Sequence, residues 1–270
     1  MRRTTLALLL AVAAAPAGAV ELQEGDWVVA DPDANAVYRV DPGTGDATPI
    51  SQDGMFRYPS GVALDAQQRV LVADPDANAV FRVDPATGAQ EVVSSGSSFR
   101  FPTGVAVDDT GDLLVADPDA DVIFRVDPAT GDQTLDTSAA AAGVVFATGV
   151  AVEASGDYLL ADPDAQALQR FDPDFATSAA VSAQGIFELP SDVTLDGAGD
   201  LLVTDPDANG FVHVDPVAGT QVPAGPEDAF LYPTGIAYVP EPGSAWQLAA
   251  GLAALAGLAR SPRAARRRLV

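Results

Sequence analysis

The chain has no cysteine, so disulfide staples, thiol catalysis and thiolate metal sites are excluded, and cysteine usage says nothing about redox compartment. It has one histidine, His213, which rules out a zinc site built from several imidazoles. Positive charge is nearly as scarce. Of 14 basic residues, Arg2 and Arg3 lie at the start and five follow residue 259, leaving seven arginines against 38 acids, a net charge of −31 for residues 21–241. Such a body repels phosphate and anionic polysaccharide, which excludes nucleic acid as a partner, and it attracts cations and cationic surfaces. The same surplus also suits a plainly solvated acidic surface. Helical spacing of apolar residues is absent before the C-terminal tail.

What the chain has in quantity is one phrase, Ala-Asp-Pro-Asp-Ala, at residues 30–34, 73–77, 116–120 and 161–165, with Thr204 replacing the first alanine at 204–208. The steps between them are 43, 43, 45 and 43 residues, and a period of that length marks a closed β-propeller or a related array. Within the unit 59–101, apolar segments at Val62–Leu64, Val70–Ala73, Ala79–Val83 and Ala89–Val93 are separated by turns rich in Asp, Pro, Asn and Gly. Four short antiparallel strands per unit make one blade, and the continuously apolar middle strands suit a sheet covered on both faces by its neighbours.

The unit resembles the NHL repeat. The resemblance rests on starts at Pro59, Pro102, Pro190 and Pro233, with Ala147 the exception, followed by Gly61, Gly104, Gly149 and Gly235, with Asp192 the exception. It implies a propeller and says little about function. First-strand segments begin at Gly61, Gly104, Gly149, Asp192 and Gly235, and second-strand segments lie near Trp27, Val70, Leu113, Tyr158 and Leu201. The chain therefore opens on a second strand and ends on a first. Pairing Ile236–Val239 with Trp27–Ala30 predicts an all-β, five-bladed propeller of four-stranded antiparallel blades, without free edges. NHL propellers are commonly six-bladed, and an open array or a blade-sharing dimer is the other arrangement this pattern allows.

The ends read as addresses. Arg2 and Arg3, the apolar Leu6–Ala15 and the small residues Ala17-Gly18-Ala19 form a secretory signal peptide over 1–19. After a propeller domain at 20–239, the tail 240–270 has three parts: Pro240, Glu241 and Pro242, a charge-free run over 243–259, and arginines within 260–270. The run is long enough to cross a bilayer as a transmembrane helix, with the arginines left on the cytoplasmic side. This tail resembles the PEP-CTERM sorting signal. The resemblance implies an exosortase as processing partner, a membrane anchor in transit and a Gram-negative cell-surface or extracellular destination linked to exopolysaccharide and biofilm.

In a propeller the turns between second and third strands share a face with the crossings between blades. Asp31, Asp33, Asp74, Asp76, Asp117, Asp119, Asp162, Asp164, Asp205 and Asp207 are therefore expected on one face, and two functions fit them. Alternating acids resemble the start of a calcium loop, although Pro216 at the twelfth position from Asp205 excludes an EF-hand. Equally, Asp opening a turn accepts backbone N–H groups, while Asn tolerates left-handed geometry at its end. Arg39, Arg82, Arg125 and Arg170, with His213 in the fifth place, share a third-strand position and are expected to pair with acids of their own blades. Aromatic residues preceding each blade, among them Phe56, Phe99 and Phe187, are expected to pack between blades.

Nearly identical blades point to a non-enzymatic binding module displayed to cations, glycans or another envelope protein. No catalytic residue is assigned and no cofactor is required, calcium being the one candidate. The alternative is a propeller enzyme of the gluconolactonase or lyase type with a metal in the central channel. Its candidate residues are Asp192, where other blades have glycine, and the nearby Glu188.

Overall fold

The computed structural model describes residues 20–136, 146–183, 185–208, 210–226 and 229–240. Residues 1–19, read above as a signal peptide, Glu241, Pro242, the apolar run and the terminal arginines lie outside them. Among the described residues, no helix is long and apolar enough to cross a membrane.

Five four-stranded antiparallel sheets surround one axis. Blade 1 contains β1 (Trp27–Asp31), β2 (Ala36–Val40), β3 (Ala47–Gln52) and, from the far end of the chain, β20 (Gly235–Tyr238). Blade 2 contains β4 (Val62–Leu64), β5 (Val70–Asp74), β6 (Ala79–Val83) and β7 (Gln90–Ser95). Blade 3 contains β8 (Gly104–Val107), β9 (Leu113–Asp117), β10 (Val122–Val126) and β11 (Gln133–Leu135). Blade 4 contains β12 (Gly149–Val152), β13 (Tyr158–Asp162), β14 (Ala167–Phe171) and β15 (Ser178–Ala183). Blade 5 contains β16 (Asp192–Leu195), β17 (Leu201–Asp205), β18 (Gly210–Val214) and β19 (Gln221–Ala224).

The ends meet as the strand count requires, one residue earlier than the expected Ile236–Val239. Trp27 pairs with Tyr238 and Ala30 with Gly235. Val239 continues the contact outside the strand, donating to Asp26 O and accepting from Gly25 N. This ladder excludes the open array, because blade 1 is completed by strands from both ends of the domain.

Continuous apolar runs in the second strands have the expected cause. Every residue of β1, β5, β9 and β17 is buried, since alternate side chains enter the sheet interfaces on either side. Val70 and Val72 pack with Val28 and Val37 of blade 1, while Leu71 and Ala73 pack with Val105 and Val115 of blade 3. The core is thus a wheel of five clusters, one at each junction between blades. An edge-on aromatic pair recurs in it: Phe56 on Phe81 at 5.7 Å and Phe99 on Phe124 at 5.5 Å between ring centroids.

The first aspartate of four of the repeated phrases fastens the wheel. Asp74 accepts the N–H of Ala77 in its own turn at 2.9 Å, and also those of Arg57 and Tyr58 in the crossing that brings the chain into blade 2, at 2.7 and 3.0 Å. Asp117 does the same with Ala120, Arg100 and Phe101, and Asp205 with Ala208, Glu188 and Leu189. In blade 1 the incoming crossing is the end of the domain: Asp31 takes Ala34, Leu231 and Tyr232. In blades 1 to 4 the turn then reverses through a left-handed residue, Asn35, Asn78, Asp121 and Gln166, with φ between 49° and 53°.

Replacing Asp31 by alanine strips the acceptor from three part-buried N–H groups, two of them about 200 residues away in sequence. We expect a loss of about 3 kcal/mol in unfolding free energy by urea titration. Asp33→Ala, two residues on and exposed, is expected to change it by no more than about 0.5 kcal/mol. Equal effects of the two would disprove the clasp.

Candidate functional site

The ten aspartates do share one face, which we call the mouth, but they divide into two sets. Asp31, Asp74, Asp117 and Asp205 are buried beneath it, their oxygens occupied by the clasp. Burial raises the pKa of Asp74, and the N–H groups of Arg57, Ala77 and Tyr58 offset part of that. Asp162 is half-buried, bound by Ala165 N and Gln169 Nε2; the crossing that would complete its clasp falls at 137–145, outside the described residues. The second set, Asp33, Asp76, Asp119, Asp164 and Asp207, is exposed, one per blade.

Two tyrosines sit within this outer ring. Tyr232 Oη lies 3.5 Å from Asp207 Oδ1, and its pKa is pushed up to about 12, by burial first and then by Asp207, Tyr58 and Asp33. The Tyr58 phenol is raised by burial and by Asp33 and Asp76. The outer carboxylates of blades 5, 1 and 2 therefore act on common ground, adding to burial in raising both phenols. None of the ten aspartates belongs to a group of three metal-ligating side chains among the described residues. A cavity of about 30 Å³ under Phe230 and Leu231 has room for one water.

At the axis the inner strands approach so closely that glycine is required. A Cβ on Gly104 would lie 2.5 Å from Thr148 O, and one on Gly149 would lie 2.5 Å from Asp192 Cα; Gly61 and Gly235 meet the next blade's backbone in the same way. Asp192, the one side chain in this ring, does not open onto a channel. It is sealed, 1% exposed, with Val193 N on Oδ1 at 2.9 Å and Ile236 N on Oδ2 at 3.2 Å, and Val62 N also bonds to it. The carboxylate answers backbone donors that face the axis from three blades' inner strands and their neighbours' edges. Glu188 is exposed, its backbone N–H held by Asp205, and no hydrogen bond or ion pair joins it to Asp192 among the described residues. The proposed acid pair is not assembled.

The third-strand cations pair within their own blades, with an acid of the turn between first and second strands and, in blades 2 and 3, also with one in or beside the fourth strand. Arg82 reaches Asp65 and Glu91, Arg125 reaches Asp108 and Asp136, and Arg170 reaches Glu153. His213 faces Asp196 at 3.2 Å. In blade 1 that turn is the gap between the two chain ends, and Asp26 supplies the acid for Arg39. These turns lie at the ends of the second strands opposite the mouth. Phe56, Phe99 and Phe187 are buried between blades, whereas Phe146 is exposed.

One repeated device went unread in the sequence. Gln90 donates to Ser51 Oγ and Asp53 O of the preceding blade and accepts from Met55 N, while Ser51 Oγ donates to Gly88 O. Gln133 with Ser94, and Gln221 with Ser182, repeat it at two further junctions. The signal was available: Gly-x-Gln at 88–90, 131–133 and 219–221, each glycine 37 residues after its serine.

Burial holds the pKa of Asp192 well above the ordinary carboxylate value, against the three N–H groups that lower it. A raised pKa means the folded state holds the proton more tightly, so this contribution is complete below the unfolded value and is lost as pH rises through the folded one. The unfolding free energy of the protein minus that of Asp192→Asn should therefore fall as pH rises from about 4 towards 7. Paired denaturant titrations across that range measure it; a difference that grows with pH contradicts the assignment.

Comparison with known proteins agrees with this architecture. The NHL repeat family matches residues 99–119. Among curated proteins none matches the chain. Among solved structures, a chain from a nidogen/laminin complex is similar over 78% of this chain and 97% of its own, at 14% identity and a TM-score of 0.59. A gluconolactonase from Xanthomonas campestris is similar over 77% of this chain and 76% of its own, at 17% identity and a TM-score of 0.57. Virginiamycin B lyase from Staphylococcus aureus is similar over 82% and 74%, at 16% identity and a TM-score of 0.49. At these identities the likeness is one of fold. The chain is a five-bladed β-propeller with an NHL-like repeat.

Proposed function

We propose that the protein is a non-enzymatic binding module whose mouth face receives a multivalent cationic partner, a basic segment of an envelope protein or a cation-bearing glycan. One observation carries this reading: four of the five repeated phrases commit the first carboxylate to the fold while all five leave the second exposed, so that every blade contributes one acid to the same face. Five separated charges suit a partner that spans several blades better than one ion chelated within a turn, because the inner oxygens already hold two or three N–H groups. Calcium is the smaller cation that this face would admit.

The ends support the setting. The leader over 1–19 and the three-part tail over 240–270 favour export, anchoring in transit and exosortase processing, with a place at the cell surface or in an extracellular polysaccharide matrix. The enzyme alternative would draw on Glu188 and Asp192. One is exposed and the other is sealed, so the two offer no common coordination site.

Changing Asp33, Asp76, Asp119, Asp164 and Asp207 together to Asn should weaken binding of a lysine-rich peptide by at least about tenfold at low salt. Binding to the unaltered protein should fade as salt rises towards physiological strength. Neutralising four exposed acids of the opposite face, Asp46, Asp109, Asp132 and Asp174, should leave most of the affinity. Fluorescence anisotropy on the three proteins checks this. Equal losses in both variants would reduce the effect to net charge and remove the mouth as a site, and a melting temperature raised by millimolar calcium only with the mouth acids present would favour the ion.

A further inference from the structure

We propose that Asp196, Asp200 and His213 of blade 5 form a site for one divalent transition-metal ion of the zinc class, on the face opposite the mouth. Their ligand atoms all lie within 4.8 Å of one another, and this is the one such group among the described residues. His213 Nε2 is 3.2 Å from Asp196 Oδ2. Two ligands of a tetrahedral zinc ion stand roughly 3.4 Å apart, so that edge of the site is already set.

The turn is built to present these atoms. Asp196 Oδ1 accepts Ala198 N at 2.8 Å and Asp200 N at 3.0 Å, which fixes the carboxylate and leaves Oδ2 turned towards the imidazole. Asp196 N bonds to Asp200 O, so the turn brings the second carboxylate back beside the first.

The other blades provide the comparison that makes this more than a group of acids. Blade 3 has Asp108 and Asp112 in the same places, and blade 4 has Glu153 and Asp157, each turn closed by the same backbone bond. In both, a guanidinium occupies the centre: Arg125 on Asp108 and Arg170 on Glu153. It is a permanent cation and cannot ligate a metal. Blade 2 keeps Asp65 with Arg82 and replaces the second acid by Arg69. Only blade 5 combines both acids with an imidazole, which is a metal ligand and carries no fixed charge. A divalent ion there would restore the positive charge that arginine supplies in its neighbours. Two carboxylates and one imidazole suit zinc or a similar ion better than calcium, which prefers an all-oxygen shell of six or more ligands. With His213 and Asp196 side chains 36% and 19% exposed, water completes the coordination.

The reverse substitution His213→Arg gives a clean test, because arginine fills this position in the four other blades. Untagged full-length protein, freed of metal by chelator, would be titrated with zinc chloride by calorimetry while the ring protons of the single histidine are followed by NMR. Saturation at one zinc per chain with a shifted His213 signal is expected. Affinity should drop at least about tenfold in Asp200→Asn and be lost in His213→Arg without a fall in melting temperature. No binding through millimolar zinc overturns the proposal. So does binding that survives His213→Arg or leaves the histidine signal in place.

Discussion

The fold depends on a carboxylate that works across the chain more than within its turn. Asp31, Asp74, Asp117 and Asp205 each hold their own turn through one N–H and the incoming crossing through two more. A crossing has no ladder of its own, so its part-buried N–H groups take their bonds from these carboxylates, at about 1 kcal/mol or more each. Because the ring is closed by strands from both termini, the Asp31 bond to Leu231 and Tyr232 does for closure what the other clasps do locally. One residue type in one register thus sets blade entry, blade spacing and circularity.

That division of labour also explains how so acidic a chain folds. At Asp74 the accepted N–H groups offset part of the cost of burying the carboxylate, and the third-strand arginines answer Asp65, Asp108 and Glu153 on the opposite turns. The charge that remains uncompensated is exposed, on the mouth at Asp33 and its counterparts and on the opposite face at acids such as Asp46 and Asp132. Exposed charge in water costs little. The acidity therefore lies where it opposes folding least.

Much of this was legible in the residues. The 43-residue step and the second-strand runs such as Val70–Ala73 specified blades, and the strand count specified closure. Left-handed Asn35 and Asn78, and arginines paired with acids of their own blades, followed from side-chain chemistry. What stayed hidden depended on backbone. The donors to Asp74 are the N–H groups of Arg57 and Tyr58, and an N–H carries no residue identity for a sequence pattern to register. The same holds at the axis, where Asp192 looked like an open acid beside Glu188, although glycines at the equivalent positions already implied that no space was left there.

Blade 5 gathers the departures from the repeat, and two of them are coupled. Asp192 replaces the axial glycine, and Thr204, its partner across the β16–β17 ladder, replaces the alanine that opens the phrase elsewhere. Thr204 Oγ1 donates to Thr234 O at 2.8 Å, and Ser191 Oγ reaches the same carbonyl at 3.0 Å. Asp192 meanwhile takes Ile236 N, two residues beyond Thr234. The crossing that leads into the closing strand is thus held by side chains on both its carbonyl and its N–H side, at the junction where the last segment of the domain enters the ring. Other blades are delivered to their places by a continuous chain on both sides, whereas β20 arrives with its next partner at the opposite end of the sequence. Extra polar bonds at that junction offset the entropy of closing a loop that spans the whole domain.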